Sequence, residues 1–206
     1  FTVSISNDPP NLAPDQVVIV PIYRNEEQFD AVSEVAHELM KELRSKGVRV
    51  KFDNRDTHKP GWKFNEYELK GVPVRIAIGP KDVENGTVEV ARRDTLSKEM
   101  MQREEASEAI EKLLKEIQKN LFAKAANYRE NNTTEVSSYK EFKEVLESKG
   151  GFILAHWDGT PETEEQIKNE TKATIRCIPI EGDTAPGSCM VTGKPSARKV
   201  LFAKAY

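Results

Sequence analysis

The sequence predicts an α/β protein built from two modules, and three observations lead there. A β-branched apolar run, Val17 to Tyr23, is followed by Phe29, Val32, Ala36, Leu39, Met40 and Leu43 at three- and four-residue spacing, then by the alternating VRVKFD of Val48 to Asp53. Strand, helix and strand in such short order make a parallel βαβ unit. Further apolar runs then pair around a turn, as strands running in opposite directions do. After the polar NNTT at 131–134 a helix, an apolar run, a second helix and short strands begin afresh.

Residues 1–16 contain Pro9, Pro10 and Pro14 and no sustained periodicity, so they form an irregular lead-in. Val17 to Tyr23 has the pattern of a strand buried on both faces. Asn25 is placed to cap the first helix and Gly47 to stop it. A loop with Pro60 and Gly61 leads to a short helix, Trp62 to Leu69, closed by Gly71 and Pro73. PVRIAIG reads as a strand, and TVEVARR, after a turn at Asn85 and Gly86, as a strand returning along it. From Lys98 to Tyr128 the spacing predicts one long amphipathic helix, with Ile110, Leu113, Leu114, Ile117 and Leu121 on one face. NNTT interrupts it and places the boundary between a first domain, 17–130, and a second, 131–206. In the second, Ser138 caps a helix with Glu141 three residues on, and GFILAHW follows. Thr160 and Pro161 then begin a helix whose first turn carries Glu162, Glu164 and Glu165. ATIRCIPI and KVLFAKAY are short strands.

Composition excludes several classes. No run approaches the roughly 18 apolar residues of a membrane span, and the first residues lack the basic flank of a secretory signal. Cys177 and Cys189 alone are too few for a disulfide framework, so the expected compartment is a reducing cytoplasm. A net charge of -3 argues against indiscriminate nucleic-acid binding. Between Arg49 and Lys98, however, 11 Lys and Arg face 8 Asp and Glu, a local +3 that leaves -6 for the rest. A modest basic face on an acidic body suits a partner gripped at one place.

Catalytic patterns are missing: there is no phosphate loop, nucleophile elbow or zinc helix, and the histidines are His37, His58 and His156. His37 lies on the polar flank of the first helix; His58 sits in the loop NRDTHKPG, where it either caps backbone or meets a phosphate. His156, Cys177 and Cys189 lack the C-x-x-C pair that would anchor a tetrahedral metal site. The stretch from Asp53 to Lys98 differs in kind. Trp62, Phe64 and Tyr67 stand among charges, and Glu68, Arg75, Asp82 and Lys98 bring both signs to the ends of a strand pair. Such a mixture reads single-stranded bases, since aromatics stack, a carboxylate accepts from guanine N1 and N2, and Arg or Lys donates to O6 and N7. It is equally what a short helix covering a sheet displays.

VVIVPIYRNEEQ, VRVKFDNRDTHKPGWKFNEYELKGVPVRIAIGPKDVENG, TKATIRCIPIEG and VLFAKAY resemble the C-terminal part of prolyl-tRNA synthetase, a class II aminoacyl-tRNA synthetase, in the branch found in archaea, eukaryotes and some bacteria. The resemblance runs from about Ala13 to Tyr206. Its first half is shared with histidyl, threonyl and glycyl enzymes, and its second half is specific to the prolyl one. It implies an anticodon-binding domain with a mixed five-stranded sheet and three helices, followed by a small α/β C-terminal domain. It implies that two guanines of the proline anticodon are met by Phe64, Glu68, Arg75, Asp82 and Lys98, with Arg55, His58, Lys63 and Lys81 as possible phosphate contacts. The partner is then the anticodon stem-loop of tRNA(Pro). ATP and magnesium, like the homodimer contacts, belong to an N-terminal catalytic domain that this stretch is too short to include. This chain is expected to need no cofactor of its own and not to charge tRNA, as a piece of a larger enzyme. Of a four-cysteine zinc site carried by some relatives only Cys189 survives, with Trp157, Glu162 and Thr192 at the other positions, so no metal is expected. The resemblance also has Tyr206 reaching toward the catalytic domain. Two other readings stay open: an α/β protein holding a small anion near the Gly79 turn, and an accessory protein that binds through the long helix.

Overall fold

A computed structural model describes residues 7–180 and 185–204, so Tyr206 lies outside the described residues. The chain divides into two compact units, one ending at Ala123 and the other beginning at Lys124.

In the first unit β1 (Val17–Pro21), α1 (Glu26–Ser45) and β2 (Val50–Phe52) form the expected parallel βαβ unit. Asn25 caps α1 by accepting from the Gln28 amide, and the Gln28 side chain accepts in return from the Arg24 amide. Gly47 ends it at φ 79°, a left-handed turn where a side chain would be strained. Helix α2 (Pro60–Leu69) crosses to β3 (Val74–Ile78), which pairs parallel to β1 on its other edge. Then come α3 (Pro80–Asn85), β4 (Thr87–Arg92), β5 (Lys98–Gln102) and α4 (Arg103–Asn131). The sheet is five-stranded and mixed, in the order β2-β1-β3-β4-β5, with β4 and β5 antiparallel to their neighbours.

Two segments depart from the element-by-element expectation. Residues 98–102, expected to open the long helix, form the fifth strand, and α4 begins only at Arg103. Residues 80–85, of which only Asn85 is expected to form part of a turn, form a short helix with Pro80 in its first turn and Gly86 at φ 63° behind it. The four helices here are thus one more than the three that the resemblance implied.

Alternation sorts the sheet into two faces. Val17, Ile19, Val74, Ile76, Ile78, Val88 and Val90 point to one side and pack on Val32, Ala36, Leu39 and Leu43 of α1 and on Ala106, Ile110, Leu113, Leu114 and Ile117 of α4. On the other side Val18, Val20 and Val72 meet Tyr67 and Phe64 of α2. That second layer is much smaller, and it leaves the β4 and β5 part of its face open.

The second unit holds β6 (Thr133–Glu135), α5 (Tyr139–Ser148), β7 (Phe152–His156), α6 (Pro161–Thr171), β8 (Ala173–Cys177), the small hairpin of β9 (Gly187–Ser188) and β10 (Pro195–Ser196), and β11 (Lys199–Lys204). Its four-stranded sheet runs β6-β7-β11-β8 around a core of Phe142, Ile153, Ile167, Val200 and Phe202. The caps fall as expected: Ser138 accepts from the Glu141 amide and Thr160 from that of Thr163. At the positions corresponding to the zinc site, Cys189 is buried and Thr192 donates to Asp158 at 2.8 Å. The Asp158 carboxylate also accepts from Thr160 and Thr163, stitching the hairpin to the start of α6. Among the described residues no three His, Cys, Asp or Glu side chains gather closely enough to hold a metal ion.

Candidate nucleic-acid interface

Glu68 and Arg75 are seven residues apart and lie on different elements. They meet because α2 lies over the sheet face to which the odd-numbered residues of β3 point. Between α2 and the β4-β5 hairpin is a small cleft of about 40 Å³, lined by Phe64, Glu68, Arg75, Arg93, Leu96 and Lys98 among others. Four of the five residues expected to meet the two guanines, namely Phe64, Glu68, Arg75 and Lys98, therefore converge on one opening.

Arg75 is the fixed point. It is 5% exposed, and its guanidinium carbon stands 3.7 Å from the centre of the Phe64 ring. Its Nη1 donates to Glu89 Oε1 at 3.1 Å. Cation-π contact and an ion pair together offset the cost of taking a guanidinium out of water. Phe64 therefore acts on the cleft through Arg75, which occupies one face of its ring. Glu68 and Lys98 are exposed. Arg93 was not singled out in the sequence, yet its Nε donates to the Glu68 carbonyl at 3.1 Å, holding the end of α2 and putting another cation at the cleft. Arg92 is committed elsewhere: it forks onto Asp94 and reaches Glu116, and its hydrogen bonds hold the Asp94 carboxyl below the usual carboxylate range.

The helix carrying Phe64 and Glu68 is anchored from below. Asp53, at the end of β2 and 2% exposed, accepts from Arg55 Nε at 2.8 Å and Nη2 at 2.7 Å and from the Tyr67 hydroxyl at 3.1 Å. Burial alone would raise its carboxyl; the hydrogen bonds from Arg55, the Lys63 charge and the Tyr67 hydroxyl outweigh it and hold the group well below the usual range. Burial, with the Asp53 charge behind it, pushes the Tyr67 hydroxyl up.

This network occupies two of the expected phosphate contacts, Lys63 and Arg55. Lys63 is 2% exposed and donates to the Asp53 carbonyl at 2.9 Å, so its ammonium is a structural counter-charge and not a surface group. Arg55 is shared between Asp53 and Glu66. His58 stacks on Trp62 at 3.7 Å, beside a hollow that Tyr23 and Lys59 also line.

Asp82 stands apart from the other four. It caps α3, accepting from the Gly79 amide at 2.8 Å and from Thr87 Oγ1 at 3.3 Å. With exposed Lys81 it borders a second, wider cleft of about 420 Å³ at the carboxyl ends of β1 and β3, which Tyr23, Arg24 and Gln28 also line. The strand order reverses direction here, the place where open α/β sheets take ligands. Thr87 is on the same sheet face as Glu89 and Ala91, so the Asp82 carboxylate that it contacts lies at the far end of that face, roughly 13 Å from Ala91 at strand spacing.

Comparison with known proteins finds two family matches along the chain. Residues 16–113 match the family described as anticodon binding domain, and residues 139–206 match that described as prolyl-tRNA synthetase, C-terminal. Proteins named proline-tRNA ligase from Christiangramia forsetii, Porphyromonas gingivalis and Cytophaga hutchinsonii are 65%, 64% and 59% identical over 198 residues. Each alignment covers 96% of this chain, which spans about 40% of the length of these curated relatives. Residues 16–113 are thus similar to the anticodon-binding domain family, and residues 139–206 to the prolyl-tRNA synthetase C-terminal family.

Proposed function

We propose that this chain reads the anticodon of tRNA(Pro) for a proline-tRNA ligase. The observation that carries the reading is the meeting of a free carboxylate, Glu68, with a fixed guanidinium, Arg75, in one cleft where the exposed ammonium of Lys98 adds attraction. A guanine offers N1-H and N2-H to a carboxylate and O6 and N7 to a cation, so this set matches both of its edges. The second guanine is taken at the far end of the same face, by Asp82, with Lys81 and Arg24 on the backbone. Arg55 and His58 flank that path and Lys63 supports it from within.

The larger enzyme attaches proline to tRNA with ATP and magnesium on a catalytic domain outside this sequence, works as a homodimer and resides in the cytoplasm. No helix among the described residues is long and apolar enough to cross a membrane. Its placement in the branch shared by archaea, eukaryotes and some bacteria rests on the resemblance of the segment that ends in VLFAKAY.

Titration of this chain with an anticodon stem-loop carrying UGG, against one with both guanines replaced by adenine, tests the proposal at fixed salt. The expected result is markedly weaker binding of the second loop; equal affinity would overturn it. Competition by inorganic phosphate at the wider cleft, with no preference between the loops, would favour a small-anion site instead.

A further inference from the structure

Arg75 can read a base edge only if its guanidinium is held still, and a flexible arginine beside an open cleft is not. Three contacts fix it: the strand backbone below, the Phe64 ring against its flat face, and Glu89 on Nη1. Glu89 lies opposite Ala77 in the β3-β4 register, so its carboxylate reaches Arg75 along the diagonal across a position too small to block it. No sequence pattern singles Glu89 out.

Resting on the anticodon reading above, we propose that Glu89 is a positioning residue: it clamps Arg75 so that the remaining N-H donors face the cleft in one orientation. A guanidinium has five N-H donors, and engaging Nη1 leaves others for a purine. The ion pair also cancels much of the Arg75 charge. Arg75 then contributes direction, while Lys98 and Arg93 contribute attraction.

The test uses this chain, its Glu89→Ala and Glu89→Gln variants, and UGG stem-loops in which each guanine in turn becomes 7-deazaguanine, lacking the N7 acceptor, or inosine, lacking the 2-amino donor. For the wild type each analogue at the cleft position is expected to cost roughly tenfold in affinity. In Glu89→Ala the 7-deazaguanine penalty should fall below about twofold while the inosine penalty, carried by Glu68, persists. Glu89→Gln keeps an acceptor for Arg75 and should keep both penalties, with a salt slope steeper by roughly 0.7 as the guanidinium charge is uncovered. A full 7-deazaguanine penalty in Glu89→Ala would overturn the proposal, as would uniformly tighter binding to every loop. Should Glu89→Ala fail to fold, a wild-type salt slope in Glu89→Gln overturns it. If the wild type pays for neither analogue, the anticodon reading itself falls, and this inference with it.

Discussion

The Tyr67 hydroxyl donates to the buried Asp53 carboxylate at 3.1 Å, so the loop after β2 and the helix that carries Phe64 and Glu68 are tied through one acidic group. Lys63 depends on the same carboxylate, at 3.6 Å, for its counter-charge. Asp53→Ala should therefore destabilise the first unit by about 3–5 kcal/mol, because it strands a buried ammonium. Tyr67→Phe should cost only about 0.5–1.5 kcal/mol for one hydrogen bond. Urea unfolding of the two variants checks the ratio; equal losses would mean that Lys63 finds another partner.

Acid should loosen the second unit through Glu170. Its carboxylate accepts from Lys143, Gln166 and Tyr139, which hold it down to about 2 from an ordinary 4.5. A depressed carboxyl contributes fully above its unfolded value and loses that contribution as pH falls toward the folded one. Glu170→Gln should thus be less stable than the wild type at pH 7, with the gap closing between about pH 4.5 and 2. Thermal melts across that range give the measurement, and a gap independent of pH would rule the mechanism out.

Readers and attractors in the cleft should separate by salt. Glu68→Ala is expected to cost about 1–3 kcal/mol for the UGG loop and to relax base choice. Lys98→Ala should weaken all loops alike and reduce the salt slope by about 0.7–0.9. Affinity measured at several salt concentrations distinguishes them; identical behaviour would dissolve the distinction.

Gly151 should resist substitution. It sits at φ 81°, and a Cβ there would lie 2.6 Å from the Asn132 carbonyl oxygen, which accepts the Phe152 amide that starts β7. Gly151→Ala combines left-handed strain with a backbone clash and should cost about 1–3 kcal/mol. Gly150, also at positive φ but in open space, is the control that should lose less.

Elements with a local signal were legible in the sequence. Asn25 and Gly47 bracket α1, and the short β-branched apolar run of β1 has the pattern of a strand buried on both sides. β5 was not, because Lys, Glu, Met and Gln all favour helix; pairing with β4 overrides that preference, and pairing is invisible to a window of neighbouring residues. α3 was missed for its brevity, although Pro80 and Asp82 already spelled its first turn. Glu68, Arg75 and Asp82 follow one another at seven-residue intervals, a spacing without geometric meaning because it crosses from a helix to a strand to another helix. Two of the three meet through packing, and the third is spent on capping α3 at the other end of the face. Lys63 looked like a surface cation because charge says nothing of depth. Glu89 and Arg93 needed the β3-β4 register and the hairpin's path before either could be placed.

In β4 and β5, side chains bordering the open surface alternate with those that fill the interior. Residues 89, 91 and 98 can change while 88, 90 and 101 stay as they are, so this protein's descendants are free to alter which letters they favour without rebuilding the frame beneath.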